Sequence, residues 1–146
     1  MTTLVIGADT VVALNDRILE KPSDKEHARS MLRELSGNVH YVYTGVTIIE
    51  KTKENTTESC SFISTTRVKF AVLSEEAIEA YVNTNEPMDK AGGYGIQGYG
   101  RGLVESVEGD FFNVVGFPCY DFAHHLSERL QDLFPTARKQ GRFDGN

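Results

Sequence analysis

An α/β domain is the fold class that this 146-residue chain predicts, on three observations. A short apolar run at residues 4–8 ends in the polar pair Asp9-Thr10, the layout of a buried strand that delivers polar groups at its C-terminal end. Two stretches carry helix caps ahead of apolar stripes at helical spacing. Between them, residues 40–72 are rich in Val, Ile, Thr and Tyr around a polar turn, which reads as an antiparallel hairpin.

The elements follow in order. Asn15-Asp16 is a turn signal, so 10–20 reads as a tight hairpin or strand-turn excursion. Lys21-Pro22-Ser23 introduces the first helix, with Ser23 and Glu26 as a capping box. Its apolar face is Ala28, Met31, Leu32 and Leu35, and Ser36-Gly37 is its stop. Strands are predicted at 40–50 and 58–72, joined by the turn at 51–57. Ser74-Glu75-Glu76 caps a second helix with Ala77, Ile78, Tyr81 and Val82 inward, ended at Asn85-Glu86-Pro87. Residues 103–107 and 111–115 read as a strand pair around Glu108-Gly109-Asp110. A last helix is expected over about 120–133, followed by a basic, frayed tail at 135–146. The chain is thus one domain over 1–134 plus that tail.

Composition narrows the function classes. Hydrophobic content of 40% and charged content of 25% are ordinary for a globular protein. No apolar run is long enough for a membrane helix, and no signal-peptide layout is present, so a cytoplasmic protein without a membrane partner is expected. A net charge of −6 argues against nucleic acid as the main partner but not against a small phosphorylated ligand. Cys60 and Cys119 lack metal or disulfide spacing and read as free thiols. Neighbouring His124 and His125 point about 100° apart on a helix, poor geometry for one metal.

Six of the thirteen glycines fall within residues 92–102, interleaved with Tyr, Ile, Gln and Arg. Such density suits positive φ angles or close backbone approach. The segment is either a shaped binding loop or an irregular crossover, and composition leaves both open. Asp9, at a strand end, is placed to orient water, act as base or hold a cation; turn or cap hydrogen bonding is the more ordinary role of such an Asp. Lys21, beside a helix start, suits an anion but also suits solvent. Lys90 either meets phosphate or neutralises Asp89. Gln97 carries a donor and an acceptor that can read a nucleobase edge or stitch the loop, and Thr10 has the same two options. The common phosphate cradles and the nucleophile elbow are absent.

Taken together, Gly7-Ala8-Asp9-Thr10-Val11-Val12, Leu19-Glu20-Lys21-Pro22, Leu35-Ser36-Gly37 with His40, and Thr44-Gly45-Val46 resemble the Maf family of nucleoside triphosphate pyrophosphatases. The run from Glu86-Pro87-Met88-Asp89-Lys90 to Gly95-Ile96-Gln97-Gly98 is the most specific block. Val104-Glu105, Gly109-Asp110 and Asn113-Val114-Val115-Gly116-Phe117-Pro118 complete it. The likeness extends to the Maf domain of acetylserotonin methyltransferase-like proteins. It implies a mixed, twisted sheet with flanking helices around a central cleft, the fold shared with inosine triphosphate pyrophosphatases. It also implies Mg²⁺- or Mn²⁺-assisted cleavage of a nucleoside triphosphate to the monophosphate and pyrophosphate. By this resemblance Asp9 is the general base, Lys21 meets phosphate, and Thr10 and Gln97 select the base, in the branch that prefers dTTP and UTP; the charge of a triphosphate adds Lys90 as a candidate for the same cationic clamp. The metal ligands are not identified, and a homodimer is a further expectation.

The family also carries a leading strand and a Ser-x-Ser-Pro-Arg-Arg phosphate motif, which have no counterpart before Leu4. The expectation that follows is an N-terminally truncated Maf-like domain. Its alternative reading is a catalytically impaired isoform serving as a nucleotide-binding or interaction module.

Overall fold

The structure is a computed structural model, and it describes residues 3–51 and 56–133, with side chains to Arg129. Strands β1 (Thr3–Leu14), β2 (Arg17–Leu19), β3 (Val39–Lys51), β4 (Thr57–Phe70) and β5 (Val104–Glu108) form one sheet in the order β2-β1-β3-β4-β5. All four pairings are antiparallel. Helices α1 (Lys25–Leu35) and α2 (Glu75–Asn83) lie between strands in sequence, and α3 (Phe111–Val115) and α4 (Cys119–Leu133) follow β5. The α/β class holds, as a sheet flanked by helices. The 52–55 turn and the 135–146 tail lie outside the described residues.

Strand β3 is the spine of the sheet. Its inward positions alternate through His40, Val42, Thr44, Val46, Ile48 and Glu50, all buried, as the two-residue strand period requires. The core joins Val12, Leu14 and Leu19 to Val42, Val68 and Phe70, with Met31, Leu32 and Leu35 of α1 and Ile78 and Val82 of α2. Burial of each large side chain contributes about 2 kcal/mol.

Three local expectations change. The capping box predicted at Ser23 is displaced by one residue: Asp24 is the N-cap, in extended backbone, and accepts the His27 N–H at 2.7 Å. That hydrogen bond is also the first reason its carboxyl sits below the usual carboxylate range. The apolar run 4–8 is exposed rather than buried: β2 covers only 12–14, and Leu4, Val5 and Ile6 are 37%, 56% and 46% exposed along an edge no described strand pairs.

The third change is the predicted strand at 111–115, which is helix α3. Asp110 caps it through the Phe112 N–H at 2.8 Å, and Gly116 ends it. The reason is tertiary. One helical turn carries Asn113, fully buried, onto the sheet, where its amide donates to Val42 O and Thr66 Oγ1, each at 3.0 Å. Asn113→Ala removes both of these buried hydrogen bonds and leaves a cavity, so a loss of about 2 kcal/mol in urea unfolding is expected. A loss within the range of surface substitutions would show that the anchor contributes little.

Candidate functional site

One cleft of about 550 Å³ gathers all five residues singled out from the sequence: Asp9, Thr10, Lys21, Lys90 and Gln97. Asp9 and Thr10 sit where β1 runs beyond its short partner β2. Asp9 is exposed and accepts the N–H of Thr10 at 3.0 Å, its one protein partner among the described residues. Thr10 is held more firmly: its hydroxyl lies 2.8 Å from that of cross-strand Thr44 and donates to Gly116 O at 3.2 Å. The carbonyl after α3 thereby fixes one rim of the cleft, alongside Val114 and Val115.

Opposite stands the segment after α2, wound through three short 3-10 turns. Lys90 pairs with Asp89 at 3.0 Å; this bond, and the charge of Lys21 more weakly, hold the Asp89 carboxyl below its usual range. Lys21 is exposed at the cleft. Both cations therefore lie on one side, where a polyanion would compete with a single exposed carboxylate for them.

The glycines have a local cause that composition did not reveal. Tyr81, buried on α2, donates to Glu86 Oε1 at 3.0 Å and accepts the Gly95 N–H at 3.0 Å. Glu86 further accepts the N–H groups of Tyr99 at 2.8 Å and Gly100 at 3.0 Å. Burial opposes the charged form of Glu86, but those N–H groups, the Tyr81 hydroxyl and nearby Lys90 hold its carboxyl below the ordinary range. A Cβ on Gly100 would lie 2.5 Å from Gly95 O, and one on Gly98 would collide with the Glu86 carboxylate. Glycine here permits the backbone to close on a carboxylate.

Tyr94 ties the same segment to the core. Its hydroxyl meets His40 Nε2 at 2.7 Å, and both rings pack edge-on against Phe70. Burial raises the Tyr94 phenol above its usual range and depresses the His40 imidazole to about 4. Sequence reasoning missed Glu86, Tyr81 and Tyr94 as builders of the site. An acid before Pro87, a tyrosine on the α2 stripe and one among the glycines carry no distinguishing spacing; only their hydrogen bonds, to loop backbone for Glu86 and Tyr81 and to His40 for Tyr94, reveal them.

Among the described residues no group of three or more His, Cys, Asp or Glu is set to hold a metal ion. Of the three carboxylates lining the cleft, Glu86 is satisfied by backbone and Asp89 by lysine, which leaves Asp9 as the accessible oxygen donor. Such a donor set suits a hard cation that keeps water and phosphate oxygens as most of its ligands. No described helix is long and apolar enough to cross a membrane.

A cleft with a carboxylate at a strand end, lysines on one side and a glycine-bridged wall, set on an antiparallel sheet flanked by helices, defines the class as an α/β domain with a polar cleft. Comparison with known proteins places it more narrowly. The chain belongs to the Maf-like protein family, whose model matches residues 1–129. A human protein named "Probable bifunctional dTTP/UTP pyrophosphatase/methyltransferase protein" is 54% identical over 140 residues, covering 94% of this chain and 22% of that protein. A dTTP/UTP pyrophosphatase of Pyrococcus furiosus is 53% identical over 135 residues, 91% of this chain and 68% of its own length. One of Clostridium novyi is 51% identical over 116 residues, 79% of this chain and 59% of its own length. The chain thus spans only part of the relatives it matches.

Proposed function

We propose that the cleft binds a pyrimidine nucleoside triphosphate, dTTP or UTP, and hydrolyses it to the monophosphate and pyrophosphate. The observation that carries this reading is the convergence of Asp9, Thr10, Lys21, Lys90 and Gln97, drawn from segments up to 88 positions apart, on one cleft. Relatives about 50% identical that are named dTTP/UTP pyrophosphatases support it.

The residues divide the work by chemical type. Lys21 and Lys90 offer ammonium groups to the triphosphate, and displacement of Asp89 from Lys90 gives up only an exposed pair of small energetic value. Asp9 takes a proton from a water that attacks the α-phosphorus; the bond from that phosphorus to the α–β bridging oxygen breaks, and pyrophosphate leaves. Gln97 presents a carboxamide that can donate to O4 and accept from N3–H of uracil or thymine, with Thr10 alongside. A divalent cation, Mg²⁺ or Mn²⁺, entering with the triphosphate would neutralise phosphate charge, with Asp9 as the carboxylate available to it. The setting in this reading is the cytoplasm, consistent with free Cys60 and Cys119, and nucleic acid is not a partner of so acidic a chain.

The test is pyrophosphate release from dTTP, UTP and dATP by the purified chain with Mg²⁺. Release from the pyrimidine nucleotides, lowered about tenfold in Gln97→Ala with dATP little changed, is the expected result. Binding without release would leave a nucleotide-binding module in place of an enzyme; neither binding nor release would sink the reading.

A further inference from the structure

Gln97 is exposed at the cleft, and its side chain makes no hydrogen bond to protein among the described residues. Its position therefore depends on how the backbone around it is held. That backbone is anchored at two points. On one side the Gly95 N–H is bound by the Tyr81 hydroxyl. On the other the Tyr99 and Gly100 N–H groups are bound by the two oxygens of Glu86, at 2.8 and 3.0 Å. Tyr81 and Glu86 are themselves joined at 3.0 Å, so both anchors converge on one carboxylate. Only Ile96, Gln97 and Gly98 span the interval. Ile96 is buried at 6% exposure, which leaves Gln97 as the residue whose height in the cleft the clamp decides.

We propose that Glu86 is a positioning residue for nucleobase discrimination: by clamping Tyr99, Gly100 and Tyr81 it sets where Gln97 meets the base. This rests on the pyrimidine-nucleotide reading of the cleft and deepens it. A charge-assisted carboxylate suits the task, because each oxygen accepts a backbone N–H and neither can be replaced by a donor. In Glu86→Gln the amide NH₂ faces at least one of those N–H groups whichever way it turns, and the loop must move away. Gly98→Ala attacks the same contact from the loop side, since its Cβ collides with the Glu86 carboxylate. Two variants of unrelated chemistry should then share one functional defect.

The experiment measures binding of α,β-imido-dUTP and α,β-imido-dATP by calorimetry, with Mg²⁺, to the full chain and its Glu86→Gln, Gly98→Ala and Gln97→Ala variants. The imido bridge resists cleavage, so the readout does not depend on turnover. The expected result is a pyrimidine-over-purine preference reduced about tenfold in both clamp variants, as for one lost hydrogen-bonded contact. Glu86→Gln combined with Gln97→Ala should discriminate no worse than Gln97→Ala alone, because Glu86 acts through Gln97. An unchanged preference in either folded clamp variant, or additive losses in the double variant, overturns the proposal while leaving the cleft reading intact. Loss of the folded state in both variants, seen as loss of the cooperative melt, makes Glu86 a folding residue and also overturns it. If the unmodified chain binds neither analogue or shows no preference, the cleft reading itself falls and takes this proposal with it.

Discussion

Asp9→Asn is expected to lower pyrophosphate release from dTTP or UTP by at least about a hundredfold, within the range that a positioned general base contributes. The substitution is nearly isosteric. The one protein contact of Asp9, acceptance of the Thr10 N–H at 3.0 Å, can be kept by the amide oxygen of asparagine. Asp9 is exposed, so no core packing is disturbed, and the Thr10 hydroxyl retains Thr44 and Gly116. What disappears is an oxygen that can take a proton or bear charge beside the α-phosphorus. Affinity for the α,β-imido analogue should therefore change far less than turnover. Release within tenfold of the unmodified chain would remove Asp9 from the chemistry and leave it as a turn residue.

A second large effect belongs to His40 and runs with pH. The imidazole is fully buried and burial depresses it from 6.5 to about 4 in the folded chain. The unfolded chain therefore binds a proton at a pH where the folded chain does not. Between about 6.5 and 4 stability must fall as pH falls, and above 6.5 the contribution is constant. Across the whole window it amounts to roughly 3 kcal/mol, and to about 2 kcal/mol between pH 7 and pH 5. Urea unfolding at those two pH values should show that loss, and His40→Gln should remove most of it while retaining a polar group near the Tyr94 hydroxyl. Because Tyr94 lines the cleft, nucleotide affinity is expected to weaken over the same interval. A pH dependence identical in His40→Gln would assign the effect to the carboxylates instead.

Much of the fold was legible because its signals are local. The stripe Ala28, Met31, Leu32, Leu35 and the Ser74 cap determine α1 and α2 at short range, and the alternation along β3 names its buried face. The cap displaced from Ser23 to Asp24 is a one-residue local shift; the two larger departures fall where a neighbour in space decides. Residues 111–115 have the same apolar character in a strand or a helix; the acceptors on β3 and β4 select the helix by offering Asn113 its partners. The run 4–8 is as apolar as a buried strand, but burial needs covering elements; β2 pairs β1 only at 12–14, and residues 4–8 stay exposed.

The site divides along the same line. The residue types needed for phosphate and base, and the motifs that carry the family likeness, are written in the chain and single out Asp9, Thr10, Lys21, Lys90 and Gln97 among the residues that line the cleft. Their convergence was not, because it depends on β1 lying in register with β3 and on the after-α2 segment folding back beside them. Least legible was the reason for the glycines. Local sequence shows only that residues 92–102 are dense in glycine; the three-dimensional arrangement shows that the atoms missing at Gly98 and Gly100 make room for the Glu86 carboxylate and the Tyr81 hydroxyl. Periodicity and caps are short-range properties and survive in one dimension. A carboxylate satisfied by backbone thirteen and fourteen residues away is a long-range closure, and only the folded chain decides it.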